Sequence, residues 1–142
     1  MFKVSYKTRQ KLQRAIQQEI RKLGLIDTQA MYDSIRVSSV VGDLNKIDIT
    51  INAIYYYVFQ DLGTVNIGAS DITRNALNAP NGIAFLDGVM QEYMDFLQKT
   101  YPILDVARLK IDPQINLVYN VFGDPTGQYN GIYDPSITFK IN

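Results

Sequence analysis

At 142 residues the chain has the length of one domain, and with 46% apolar and 20% charged residues its composition is that of a folded globular protein. It holds neither cysteine nor histidine, which excludes disulfides, thiol nucleophiles, Cys or His zinc sites and every acid/base scheme built on imidazole. The formal charge is zero, from 14 basic and 14 acidic residues, yet residues 1–36 carry eight basic groups against three acidic ones, so the rest of the chain holds the balancing negative charge; a chain polarised in this way is suited to meeting its own copies or a polyanion.

Leu12, Ile16, Ile20 and Leu23 recur at spacings of four, four and three, which predicts an amphipathic helix over residues 5–23 that ends at Gly24. Lys7, Lys11, Arg14, Arg21 and Lys22 gather on its opposite side. That basic face is read as solvated surface, as a contact with a neighbouring subunit, or as a surface for phosphates or anionic lipid. A second, shorter helix begins at Asp27-Thr28, with either residue as its cap and Met31, Tyr32 and Ile35 as its apolar side. Residues 35–41 and 47–53 are rich in β-branched side chains. The second run alternates Ile47, Ile49 and Ile51 with Asp48, Thr50 and Asn52, and the two form a hairpin around residues 42–46.

Ile54, Val58 and Leu62 stand four apart, as do Tyr55 and Phe59, so a short helix stopped by Gly63 is favoured over a continuing strand. Tyr55, Tyr56 and Tyr57 cannot all face one core, because helical neighbours differ by about 100°, and at least one ring belongs on the surface or in an interface. Residues 65–82, rich in Asn, Gly, Ala and Ser, read as a long loop with a single helical turn near Asp71–Leu77. Residues 83–100 form the clearest helix. Its apolar half, with Phe85, Leu86, Val89, Met90, Tyr93, Met94, Phe96 and Leu97, is wide enough to serve a core and a neighbouring subunit together. One or two further turns follow with Ile103, Leu104, Val106 and Leu109.

The last third carries Asp-Pro turns at Asp112, Asp124 and Asp134, and strand-like runs at residues 116–122 and 136–141. It reads as an arm. The expected organisation is an α+β domain over residues 1–109, a small antiparallel sheet packed against two main helices, followed by a strand-rich C-terminal arm or hairpin over 110–142. The longest apolar run, Ala53 to Phe59, is far short of the ~20 residues of a membrane span, and a soluble protein made in the cytosol is expected. Carboxylates are the remaining strong acid/base groups. Glu92 and Asp95 share the polar half of their helix as solvated residues, Asp43-Leu44-Asn45 lacks the spaced ligands of a calcium loop, and the glycines form no phosphate cradle.

Two segments carry a resemblance. Residues 27–37, Asp-Thr-Gln-Ala-Met-Tyr-Asp-Ser-Ile-Arg-Val, resemble the Asp-Thr-Gly-x-Leu-x-x-Ser-Ile-x-Val pattern of the tail-completion and head-tail joining proteins of tailed double-stranded DNA bacteriophages. Residues 56–64, Tyr-Tyr-Val-Phe-Gln-Asp-Leu-Gly-Thr, are similar to that family's Tyr-Ala-x-x-Val-Glu-x-Gly-Thr. The motif positions are Asp27, Thr28, Ser34, Ile35, Val37, Tyr56, Val58, Asp61, Gly63 and Thr64; Gln29, Tyr57 and Asp61 stand where the family has glycine, alanine and glutamate. The order of elements over residues 5–100 agrees as well. The resemblance implies a structural virion protein, without enzymatic activity, cofactor or metal, that forms a ring of six or twelve copies in the phage neck or tail as a head-tail connector or tail-completion protein. Its partners would be portal, neck or tail proteins, with duplex DNA passing unread through the channel. Candidate subunit contacts are the basic residues Lys7, Lys11, Arg14, Arg21 and Lys22 together with Phe85, Val89, Tyr93 and Phe96. The alternative is a small nucleic-acid-binding module that uses the basic first helix.

Overall fold

The computed structural model of the chain describes residues 2–24, 28–42, 46–63, 68, 70–105, 108, 114–133 and 138–140. The fold is α+β. In chain order come β1 (Phe2–Lys3), α1 (Tyr6–Leu23), α2 (Thr28–Ser34), β2 (Arg36–Gly42), β3 (Lys46–Ile54), α3 (Tyr56–Leu62), α4 (Ile72–Asn78), α5 (Pro80–Thr100), β4 (Gln114–Phe122), β5 (Gly131–Tyr133) and β6 (Thr138–Lys140). The strands form one sheet in the order β1-β2-β3-β4-β5, with β6 also paired to β4.

The first helix obeys its sequence. The Ser5 side chain accepts the Thr8 N–H at 3.3 Å, Gly24 closes the helix at φ 60°, and Leu12, Ile16 and Ile20 are fully buried. Burying each such side chain contributes about 1.5–3 kcal/mol, which exceeds what helix propensity alone supplies. The hairpin expected after α2 is present: β2 and β3 pair antiparallel, with a register shift between Val37 and Ser39, and the tip residues 43–45 lie outside the described residues. Arg9 reaches from α1 to this irregular stretch and donates to the Ser38 carbonyl at 2.6 Å. Every second residue of β3, from Ile47 to Ala53, is buried against the helices, as the alternation requires.

Three expectations are corrected. The sheet is mixed rather than antiparallel: β4 runs parallel to β3 over its whole length, from Lys46 beside Gln114 to Ile54 beside Phe122. Parallel neighbours need a long crossover, and α3, α4 and α5 supply it. The arm beyond residue 109 is therefore no appendage over residues 114–122, because Ile115, Leu117, Tyr119 and Val121 enter the core. The long loop is also shorter than expected. Residues 72–78 are helical because Ile72, Ala76 and Leu77 bury one face, and α5 starts early, with Pro80 in its first turn where a missing N–H costs nothing. Residues 64–67 and 69 lie outside the described residues.

The helices α1 and α5 lie antiparallel. Thr8 meets Gly88, where an added Cβ would come within 2.9 Å of the threonine methyl, and near the other end Asn81 donates to the Gln18 side chain at 3.0 Å. Glu92, expected to be solvated, instead accepts the Ser5 N–H at 2.8 Å and its hydroxyl at 3.1 Å, which fastens the start of α1 to α5. No described helix is long and apolar enough to cross a membrane.

Candidate functional site

The two motif segments meet at one end of the sheet. Ser34, at the close of α2, donates to the Met31 carbonyl at 2.7 Å and accepts the Ile54 N–H at 3.1 Å. One hydroxyl thus ends the first motif's helix and holds the last residue of β3. The next N–H, that of Tyr55, goes to the Phe122 carbonyl at 2.8 Å, so the sheet continues to the threshold of α3. Ile35 and Val37 are buried in the core, Val58 is 6% exposed, and Gly63 ends α3 at φ 80°. Thr28 is the first residue of α2, while Asp27 and Thr64 lie outside the described residues.

Asp61 is the centre of this region. It is 2% exposed, on the inner side of α3. Its Oδ1 accepts the Thr73 N–H at 3.0 Å, and its Oδ2 accepts the Thr73 hydroxyl at 2.7 Å and the Tyr119 phenol. Since Thr73 donates its one hydroxyl proton to Asp61, the Tyr57 phenol is the donor in its 2.6 Å contact with Thr73 Oγ1. Burial, reinforced by the Asp61 charge and by Tyr119, raises the Tyr57 phenol well above its ordinary range. Burial again acts first at Tyr119, followed by the charge and the hydrogen bond of Asp61, and the phenol is raised in the same direction. Ser70 and Asp71 also donate their N–H groups to the carbonyls of Gln60 and Asp61. The aspartate therefore ties α3, α4 and β4 together and closes the base of the segment between α3 and α4. With each oxygen engaged and turned inward, the arrangement is a fastening rather than a group presented to a substrate. The motif pointed to Asp61. No periodicity pointed to Thr73 or Tyr119, which stand 12 and 58 residues further along the chain.

The tyrosine run divides as the 100° rule requires. Tyr57 is buried, whereas Tyr55 and Tyr56 are half-buried with their rings edge to face at 5.4 Å.

The candidate subunit contacts on α5 need correction, because Phe85, Val89 and Tyr93 are spent on the chain's own core and Phe96 is half-buried beside Phe2. Much of the wide apolar arc of this helix lies in the common core, with α1 and α4 packed against it and Phe2 against Tyr93 and Phe96, so most of it is unavailable to a neighbour. On α1, Lys22 pairs with Glu19 at 3.0 Å and Arg21 lies over the Tyr32 ring. Lys7, Lys11 and Arg14 make no ion pair among the described residues.

The outer face of the sheet, turned away from the helices, has a different character. Asn52 donates to Ser38 and accepts from Asn120 at 3.0 Å, which makes an uncharged polar ladder across three strands. Ile54 is half-buried beside it, Phe122 is 49% exposed and Ile132, paired with Asn120, is 66% exposed. Beyond Phe122 the chain turns on Asp124, whose carboxylate accepts the Thr126 N–H and hydroxyl and the Tyr129 N–H. Partial desolvation acts to raise the Asp124 carboxyl, but these hydrogen bonds outweigh it and hold the group below its usual value. No group of three or more acidic side chains among the described residues is placed to hold a metal ion. Comparison with protein-family models, curated proteins and solved structures finds no match to this chain.

Proposed function

We propose that the chain is a structural virion protein that assembles as a ring of six or twelve copies in the neck or tail of a tailed bacteriophage, around the channel through which duplex DNA passes. The observation that carries the reading is the open outer face of the sheet. At the α3 end of that face an uncharged Ser38–Asn52–Asn120 ladder is bordered by the exposed Phe122 and Ile132, which leaves apolar area to bury there, while Arg36, opposite Asn52, and the exposed Lys46–Asp48 pair toward the other end carry charge on the same face. The α3 end suits one half of a head-to-tail contact, the kind that closes into rings. The motif segments support the same reading through their roles: Ser34 and Asp61 hold the scaffold that presents this face.

The test is electron microscopy and mass measurement of the purified protein, alone and mixed with portal and tail components. Closed rings in either sample are expected, and a protein that stays a monomer in both overturns the proposal.

Lys7 and Arg14, exposed and in no ion pair among the described residues, favour a second reading, a module that binds duplex nucleic acid through phosphates. It predicts binding to free DNA that weakens steeply with salt and ignores sequence, whereas a connector subunit leaves free DNA largely unbound.

A further inference from the structure

We propose that the outer face of the α1–α5 pair is a docking surface for a second copy of this chain, related to the first by a twofold axis parallel to the two helices. The contact does not depend on the ring reading. Both helices bury one side in the common core and turn the other outward. The outward side of α1 carries Lys7, Lys11 and Arg14, and that of α5 carries Asp87, Gln91 and Asp95. Neither the three cations nor the two aspartates form an ion pair among the described residues. Packed helices stand about 8–10 Å apart, so Lys7 and Lys11 run beside Asp87, while Asp95, beyond Glu92, stands past the start of α1.

The antiparallel contacts fix the heights. Ser5 stands beside Glu92, Thr8 beside Gly88 and Gln18 beside Asn81, which puts Asp87 at a level between Lys7 and Lys11. Rotation about an axis along the helices, midway between them, lays α1 of one copy over α5 of the other without changing these levels. Lys7 and Lys11 of each copy then flank Asp87 of its partner, and the contact occurs twice. Rotation about the perpendicular axis within the face sets α1 on α1 and brings like charges together, so charge selects the first arrangement.

A second copy fits this surface better than a polyanion. Asp87 lies within a Debye length of Lys7 and Lys11 and repels phosphates, while the chain's zero net charge gives no long-range attraction to them. At the heights given above the two helices overlap over about 13 residues, roughly 20 Å, so two helices about 10 Å wide bury on the order of 800 Å² in total, the size of a weak, reversible contact, and its charged character makes it sensitive to salt.

The test is sedimentation of the full chain at low and high salt with two surface variants, Lys7→Glu/Lys11→Glu and Asp87→Lys. The wild type is expected to dimerise through this face at low salt and to dissociate at high salt. Each variant alone should lose at least about tenfold in self-association. Mixed in equal amounts, the two variants should associate again, because each then offers the charge that the other lacks. Variants that associate as the wild type does, a mixture that fails to recover, or a wild type that stays monomeric at low salt overturns the contact. So does loss of DNA retention in the Lys7→Glu/Lys11→Glu variant with dimerisation intact. A wild type that forms this dimer but no ring, either alone or with portal and tail components, overturns the ring reading and leaves the twofold contact standing.

Discussion

Asp61 accepts three hydrogen bonds in a place water does not reach, so removing its carboxylate strands the Thr73 N–H, the Thr73 hydroxyl and the Tyr119 phenol together. An unsatisfied buried donor costs about 1–3 kcal/mol, and Asp61→Ala is expected to lower stability by about 3 kcal/mol or more in denaturant titration. Tyr119→Phe removes one donor and leaves the carboxylate its two bonds to Thr73, so about 1–2 kcal/mol is expected. The buried phenols also set an alkaline limit. Tyr57 and Tyr119 have folded-state pKa values raised above the ordinary value of 10.0, so their contribution is complete below that pH and is lost as pH rises beyond it. An alkaline titration followed by phenolate absorbance should show these two of the ten tyrosines ionising only as the chain unfolds. Asp124 works in the opposite sense: its pKa is held below 3.8, so its contribution is present above that value and lost as pH falls through the folded-state pKa. Asp124→Asn should remove that part of the acid dependence, read as a smaller difference between neutral and acid unfolding midpoints.

Among the elements, β4 determines whether the chain folds at all. Truncation after Leu109 removes Ile115, Leu117, Tyr119 and Val121 from the core, a loss of about 6–12 kcal/mol against the 5–15 kcal/mol that holds a domain, and takes away the Tyr119 bond to Asp61. The truncated chain is expected to show no cooperative thermal transition. Gly82 is a second such point, since a Cβ there would lie 1.8 Å from the Ala76 carbonyl oxygen, and Gly82→Ala should destabilise by more than about 3 kcal/mol or prevent folding. The extent of α1, the β2–β3 hairpin and the core side of α5 were legible because each depends on local spacing: Leu12, Ile16 and Ile20 followed by Gly24, Ile47, Ile49 and Ile51 in alternation, Phe85, Val89 and Tyr93 at helical intervals. The parallel placement of β4 was not, because it depends on where a three-helix crossover returns the chain, and its Asp-Pro neighbours read locally as the turns of an arm. Asp61 was legible as a motif position. Its partners Thr73 and Tyr119 were not, since only the tertiary fold brings them to it.

At the scale of the whole molecule the two faces differ in surface chemistry: the helix side carries separated charges, and the α3 end of the sheet side carries an uncharged ladder bordered by apolar residues, with Arg36 and the Lys46–Asp48 pair elsewhere on that side. A ring contact through the sheet depends on desolvating that border. Ile132 is 66% exposed and Phe122 is 49% exposed, so neither is needed for the chain's own core. Replacing Ile132 by lysine puts a charge beside the Asn52–Asn120 ladder, where a neighbour would have to desolvate it, yet changes the isolated subunit by no more than about 0.5 kcal/mol, as is usual for exposed positions. Ile132→Lys is therefore expected to unfold at the wild-type temperature and to form no ring, alone or with portal and tail components. The dimer through α1 and α5 should persist in the same preparation, because that contact lies on the opposite side of the molecule. Mass measurement of the variant at low salt separates the cases: a folded dimer supports both assignments, a folded monomer leaves the sheet contact standing and overturns the helix contact, and wild-type rings overturn the use of the sheet face.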